Sequence, residues 1–172
     1  MISTSLQGDR NRIARYVGGE YSFLDSILKG GTGSVRIVYI KGINEFDRVS
    51  SLDTSLAFCN VQIYREGFAI RLIKKDVGQI LGVRFSELSK VIFVTTPMRV
   101  RMRFRVVIRH RADVVLNCAG INTHFQVPQV YYKSFKNFMG IHFPSDIIDW
   151  QVRKIEDDEG GNILNMISKA VS

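Results

Sequence analysis

Residues 61–72 read VQIYREGFAIRL, two runs rich in β-branched and aromatic residues around the short loop Arg65-Glu66-Gly67. Runs of this composition on either side of a short Gly-containing loop predict a β-hairpin. The apolar character extends outward to residues 56–64 and 68–73. We therefore expect an antiparallel sheet to begin near residue 56.

The chain after this hairpin continues in closely spaced apolar runs. The further predicted strands are residues 80–85, 91–94, 98–110 and 112–118. Pro97 is expected to end the second of these runs because proline cannot donate to a strand ladder. Arg111-Ala112-Asp113 is the expected turn between the last two. This pattern predicts an α+β fold, with an antiparallel β-barrel or sandwich of about seven short strands.

Helices are expected on both sides of the strands. Residues 9–28 have the apolar spacing of an amphipathic helix, weakened in the middle by Gly18-Gly19, and residues 35–40 read as a strand. The polar residues 44–54 are expected to form a connection. A second helix is expected to open near Pro128 and to stop at Gly140, closing the barrel.

Residues 148–155 permit two interpretations. Ile148, Val152 and Ile155 follow helical spacing, whereas Ile148, Trp150 and Val152 alternate as in a strand. With a soft boundary near residue 50, we expect an N-terminal helix and strand extension (1–50), a β domain with its closing helix (51–143) and a C-terminal extension (144–172).

Composition limits the class of protein. The 172 residues contain 45% hydrophobic and 23% charged residues, typical of one folded domain with appendages. Two cysteines, Cys59 and Cys118, cannot form a disulfide framework at this size and are expected to be core thiols. No apolar run approaches a membrane span, and the start lacks the features of a signal peptide. We expect a cytoplasmic protein with no cofactor.

The charge is strongly positive and unevenly distributed. The chain has 24 Lys and Arg against 16 Asp and Glu, a formal charge of +8. Residues 98–106 read MRVRMRFRV, an unbroken alternation of arginine and apolar side chains. Because successive strand side chains point to opposite faces, Val100, Met102, Phe104 and Val106 are expected to line the core and the arginines to share the other face. The candidate anion-binding or partner-binding residues are Arg99, Arg101, Arg103 and Arg105.

Other candidate sites are weaker. An ordinary solvated outer face remains the alternative for the arginine face. The segment Lys29–Ser34, KGGTGS, lacks the Gly-Lys-Ser/Thr ending of a phosphate-binding loop and reads as a linker. The histidines and cysteines lack the paired spacing of a metal site. No positioned nucleophile accompanies His110 and Asp113, so we do not expect an enzyme.

The order of elements resembles the pleckstrin-homology-like domains of bacteria. The resemblance covers residues 56–140 and rests on VQIYREGFAIRL at 61–72, like the family's first hairpin, and on LGVRFSELSKV at 81–91. It implies a barrel plugged by the helix that contains Phe135 and Phe138. It also implies a non-catalytic module that binds phosphoinositide headgroups, peptides or proteins. The cations that the first hairpin offers for a headgroup are Arg65, Arg71, Lys74 and Lys75, beside the acidic Glu66 and Asp76.

These observations lead to one functional expectation and one alternative. We expect a non-catalytic binding or assembly module that docks on a partner protein or an anionic surface, either nucleic acid or membrane. Residues 156–159, EDDE, complement the arginine strand, which favours a homo-oligomer as one form of assembly. The alternative is a nucleic-acid-binding protein that uses the face from Arg99 to Arg105.

Overall fold

The computed structural model describes residues 1–5, 10–52, 54–74, 77–102 and 105–157. The strands are β1 (Ile2–Ser5), β2 (Ile37–Lys41), β3 (Phe58–Ile63), β4 (Gly67–Lys74), β5 (Val77–Arg84), β6 (Leu88–Met102), β7 (Arg105–Cys118), β8 (Ile121–Val127), β9 (Ile148–Val152) and β10 (Glu156–Asp157). The helices are α1 (Arg10–Tyr16), α2 (Phe23–Leu28), α3 (Asn44–Ser50) and α4 (Tyr132–His142). Single 3₁₀ turns lie at Phe85–Glu87, Gln129–Tyr131 and Ser145–Ile147.

The strands form one open sheet. Its order is β1-β5-β4-β3-β2-β8-β7-β6, with β9 and β10 both pairing in parallel with the outer edge of β6. The other neighbours along this path are antiparallel. The α+β class and the C-terminal helix are confirmed. The predicted closed barrel is wrong. β1 forms one edge of the sheet and β9 and β10 form the other, and these two edges do not pair within the described residues.

The sheet extends across both boundaries that the sequence suggested. β2, from the first 50 residues, lies between β3 and β8 and so joins two antiparallel meanders. β9, from the C-terminal extension, pairs with β6 from Val91↔Ile148 to Thr95↔Val152. Residues 148–152 are therefore a strand, the second of the two interpretations. The part of the C-terminal extension from residue 158 onward lies outside the described residues.

The β3–β4 hairpin is confirmed at the expected place. Its register pairs Val61 with Ile70 and Ile63 with Phe68. Gly67 is required here, because a Cβ at this position would lie 2.2 Å from the carbonyl oxygen of Val83 on β5. Gly67 therefore allows β5 to pair closely with β4.

The main core lies between the inner face of the sheet, α3 and α4. Phe135, Phe138 and Met139 of α4 are buried in it, as the apolar stripe predicted. α3 contributes Phe46, whose ring meets that of Tyr39 with centroids 5.4 Å apart. Residues 44–54 are thus not merely a connection, because the apolar side chains of Phe46 and Val49, three apart, share one helix face.

A smaller core lies on the outer face of the sheet. Ile13 and Val17 pack there against Ala69 of β4 and Ile80 of β5. The single helix predicted over residues 9–28 is instead two helices, because Gly18 and Gly19 adopt φ values of 86° and 82° and break the helical path.

Glu87 ties the N-terminal residues to the turn between β5 and β6. Its carboxylate accepts hydrogen bonds from the Met1 amino group, the Tyr16 hydroxyl at 2.6 Å and the Arg84 backbone N–H at 2.9 Å. Burial alone would raise the pKa of Glu87, but these three hydrogen bonds more than offset it and hold that pKa below its usual value.

Glu87→Gln should lower the free energy of unfolding by about 1 kcal/mol at neutral pH, since the variant loses charge-assisted hydrogen bonds in a partly exposed site. A carboxyl with a lowered folded-state pKa stabilises above its unfolded pKa of about 4.3, and this contribution is lost as pH falls through the folded value. Urea denaturation from pH 7 to pH 3 should therefore show the two proteins converging in acid. A difference that stays constant across this range would contradict the assignment.

Candidate functional site

The most prominent surface feature is a long hairpin formed by β6 and β7. The pairing of β7 with β8 ends at Ala112↔Val127, whereas β7 remains paired with β6 as far as Met102↔Arg105. We call residues 97–102 and 105–110 the arm. At about 3.4 Å per residue its paired strands are about 17 Å long. Beyond the β10 pairing at Met98 and Arg99, the two strands of the hairpin pair only with each other among the described residues.

The arm carries arginines on both of its sides. Directly opposite residues of an antiparallel pair project to the same side, and neighbours along a strand alternate. Arg99 lies opposite Ile108, and Arg101 lies opposite Val106. Met102 lies opposite Arg105, and Met98 lies opposite Arg109. The register therefore places Arg99 and Arg101 on one side of the arm, and Arg105 and Arg109 on the other.

This arrangement corrects the prediction of a single arginine face. The chain reverses between Met102 and Arg105, not at Arg111-Ala112-Asp113, and residues 105–118 are one continuous strand. After the reversal Val106 shares a side with Arg101, and Arg105 falls on the opposite side. Arg103 and Phe104 lie outside the described residues. Asp113, expected in a turn, is a mid-strand residue paired with Val94 and Gln126.

Most of the arm is exposed, although Pro97 and Met98 at its base are buried. Arg99, Arg101, Arg105 and Arg109 are all exposed, and the apolar Val106 and Ile108 are 63% and 52% exposed. The predicted core position of Val106 is thus wrong, because the arm extends beyond the buried part of the sheet. The sequence from Leu88 to Ala112 contains no acidic residue. The arm is therefore a positively charged ribbon with apolar side chains between its guanidinium groups.

Two acidic residues pair with the base of the arm. Glu156 and Asp157 of β10 align with Met98 and Arg99 of β6 through the backbone pairing. The acidic run that suggested association between copies thus begins beside the arginine strand of its own chain.

A shallow depression of about 350 Å³ adjoins the base of the arm. Its lining residues are Ile108, Arg109, His110, Gln129, Val130, Tyr132 and Lys133. The ring of His110 stacks on that of Tyr132, with centroids 5.1 Å apart and an interplanar angle of 20°. The Tyr132 hydroxyl lies 3.2 Å from the Thr95 Oγ1, which fixes the stack over β6. The exposed Lys133 continues the basic surface from the arm onto α4.

The other titratable candidates do not form a reactive group. His110 and Asp113 lie three apart on β7 and so project to opposite sides of it. Cys59 and Cys118 are buried thiols, as expected, and burial raises the pKa of Cys118 to about 12. Within the described residues, no three side chains of His, Cys, Asp or Glu are grouped as metal ligands would be.

Comparisons with known proteins give no relative to which this chain can be assigned. No protein family, curated protein or solved structure matches it. The resemblance to pleckstrin-homology-like domains stays a prediction. Among the described helices, none has the length and apolar character needed to cross a membrane.

Proposed function

We propose that this protein is a non-catalytic binding module that holds nucleic acid by inserting the arm into a groove. The observation that carries the proposal is the placement of arginines on both sides of a two-stranded ribbon. A flat anionic surface could contact only one side of such a ribbon. The major groove of B-DNA is about 12 Å wide, admits a two-stranded β-ribbon and has phosphates along both walls. A groove therefore satisfies both pairs of arginines at once.

The chemistry of the arm fits contact with the phosphate backbone. Guanidinium groups bind phosphate oxygens bidentately. Arginines two apart on one strand are separated by about 6.8 Å, close to the spacing of successive phosphates on an extended strand. Val106 and Ile108 lie directly opposite Arg101 and Arg99 and can contact sugars or thymine methyl groups. Phosphate contacts position a protein without reading sequence, so we expect weak sequence preference.

A second candidate function is docking on an acidic partner protein. The exposed apolar residues Val106, Ile108 and Val130 favour it, because they adjoin the arginines and protein interfaces combine apolar centres with charged rims. Binding of this kind would keep a large part of its affinity at high salt, since burial of apolar surface is not screened. Salt dependence therefore separates the two candidates.

The experiment that tests the proposal is fluorescence anisotropy with a short labelled duplex DNA over a salt series. If the four described arginines of the arm each contact one phosphate, the slope of log affinity against log salt should be about −3.6. Affinity should then fall about 100-fold between 50 and 200 mM salt. An absence of binding at 50 mM salt, or affinity that does not change with salt, would overturn the proposal.

A further inference from the structure

Helix α2 exposes its apolar side chains to solvent. Phe23, Leu24, Ile27 and Leu28 are 79%, 71%, 58% and 84% exposed, and none of the six residues of α2 is buried. Soluble proteins scatter single exposed apolar residues over their surface, but a contiguous group marks an interaction site. Four large apolar side chains in one short helix form such a group.

The least exposed residue of α2 lies on its polar side. At about 100° per residue, the four apolar side chains fall on one side of the helix, and Asp25 and Ser26 fall on the other. Ser26 is the least exposed residue of α2, and its Oγ lies 3.4 Å from the Thr32 Oγ1. The apolar side of α2 thus faces solvent, whereas Ser26 on its polar side lies against the loop that follows.

Cations flank this apolar surface along the chain. Arg10, Arg12 and Arg15 are exposed on α1, which precedes α2. Lys29 follows α2 directly, and its Nζ lies 4.9 Å from the centre of the Tyr21 ring. Residues 10–36 contain five basic residues against the two carboxylates of Glu20 and Asp25.

The end of helix α4 adjoins the same region. The side chain of His142 lies close to the backbone of Gly31, two residues after Lys29. The preceding residue, Ile141, is 62% exposed. The loop that follows α2 thus lies near the end of α4.

We infer that α2 inserts its apolar side into the surface of an anionic lipid bilayer, with the flanking cations at the headgroups. Interfacial helices place their apolar side chains about 5–10 Å into the headgroup and acyl boundary and add electrostatic attraction to anionic lipids. Tyrosine and lysine beside the apolar side chains are typical of this boundary, since each has an apolar body and a polar tip.

A second copy of the chain is a poorer occupant of this surface. A stable protein interface buries about 800 Å² on each partner. The four apolar side chains of a six-residue helix are too few to supply such an interface by themselves. The inference is independent of the arm, which belongs to β6 and β7.

The test is cosedimentation with vesicles of phosphatidylcholine and phosphatidylserine, and with vesicles of phosphatidylcholine alone. The protein should sediment with the anionic vesicles. The variant with Leu24→Ser and Leu28→Ser should have a vesicle partition coefficient at least about tenfold lower. Leu52→Ser with Val152→Ser is the matched control, because these side chains are also well exposed, at 60% and 76%. The control should bind vesicles as the unmodified protein does.

Several outcomes would overturn the inference. One is failure of the unmodified protein to bind anionic vesicles, and another is equal binding by the α2 variant and its control. A mass that rises with concentration without vesicles, and no longer rises in the α2 variant, would assign the surface to a second copy. DNA affinity of the α2 variant should equal that of the unmodified protein, so that failure here and failure of the arm proposal remain separate.

Discussion

A variant carrying Arg101→Glu and Arg105→Glu should bind duplex DNA at least about 100-fold more weakly than the unmodified protein at 50 mM salt. The two substitutions remove one arginine from each side of the arm and replace it with a charge that repels phosphate. Each phosphate contact contributes about 0.9 to the salt slope, so the loss should be largest at low salt. Fluorescence anisotropy over the same salt series measures both quantities.

The matched control is Arg36→Glu with Arg48→Glu. Both residues are exposed and lie outside the arm, so the control changes the net charge of the protein by the same amount. It should reduce DNA affinity only a few-fold, through the long-range field alone. Equal losses in the two variants would mean that net charge rather than the arm holds the DNA. Thermal unfolding of both should remain close to that of the unmodified protein, because exposed substitutions rarely change stability by more than about 0.5 kcal/mol.

Phe93→Ala should lower the free energy of unfolding by about 3–5 kcal/mol. Phe93 is fully buried on β6, just before the arm begins, and its ring packs against those of Trp150, Tyr132 and Phe135 with centroids 4.8, 6.4 and 6.4 Å away. Removing it opens a cavity among β6, β9 and α4. Urea denaturation followed by far-ultraviolet circular dichroism gives the change.

Phe23→Ala is the control of the same chemical type. Phe23 is 79% exposed on α2, so its removal should change the free energy of unfolding by no more than about 0.5 kcal/mol. If Phe93→Ala lowered the free energy of unfolding by less than about 1 kcal/mol, the packing of Phe93 among these rings would be contradicted. A large effect at Phe23 would instead show that α2 is covered by its own chain, which would contradict the membrane inference.

The local pairings could be predicted from the sequence where turn residues mark them. The β3–β4 hairpin follows from VQIYREGFAIRL, because a Gly-containing loop separates two apolar runs. The burial of Phe135 and Phe138 follows from their helical spacing. The reversal between Met102 and Arg105 could not be found in this way, because the alternation of MRVRMRFRV passes through it without Gly, Pro, Asn or Asp. The missed turn produced the prediction of one arginine face in place of two.

The pairing of strands far apart in the chain could not be predicted from the local sequence pattern. Residues 35–40 were predicted as a strand and residues 148–155 as either a helix or a strand, each in an appendage. In the structure β2 joins the two halves of the sheet and β9 pairs in parallel with β6. Alternation predicts that a strand has two faces and says nothing about its neighbours. Closure into a barrel depends on which strands meet at the edges, and here β1 and the β9–β10 edge remain apart among the described residues.

The orientation of α2 was also hidden from the sequence. Its apolar spacing predicts a helix with one apolar side, and such a side normally packs against the core. Only the exposure of Leu24 and Leu28, together with the contact of Ser26 to Thr32, reveals that this side faces outward. The spacing of apolar residues predicts that the helix has an apolar side, but it does not predict whether that side is buried or exposed.

In the proposed complex, both sides of the arm contact phosphate at the same time. The most direct measurement is the salt slope of DNA binding for Arg101→Ala, Arg105→Ala and the two combined. Each single variant should reduce the magnitude of the slope by about 0.9, and the pair should reduce it by about 1.8. A slope that changes for one side only would contradict the groove and indicate a flat anionic surface against a single face.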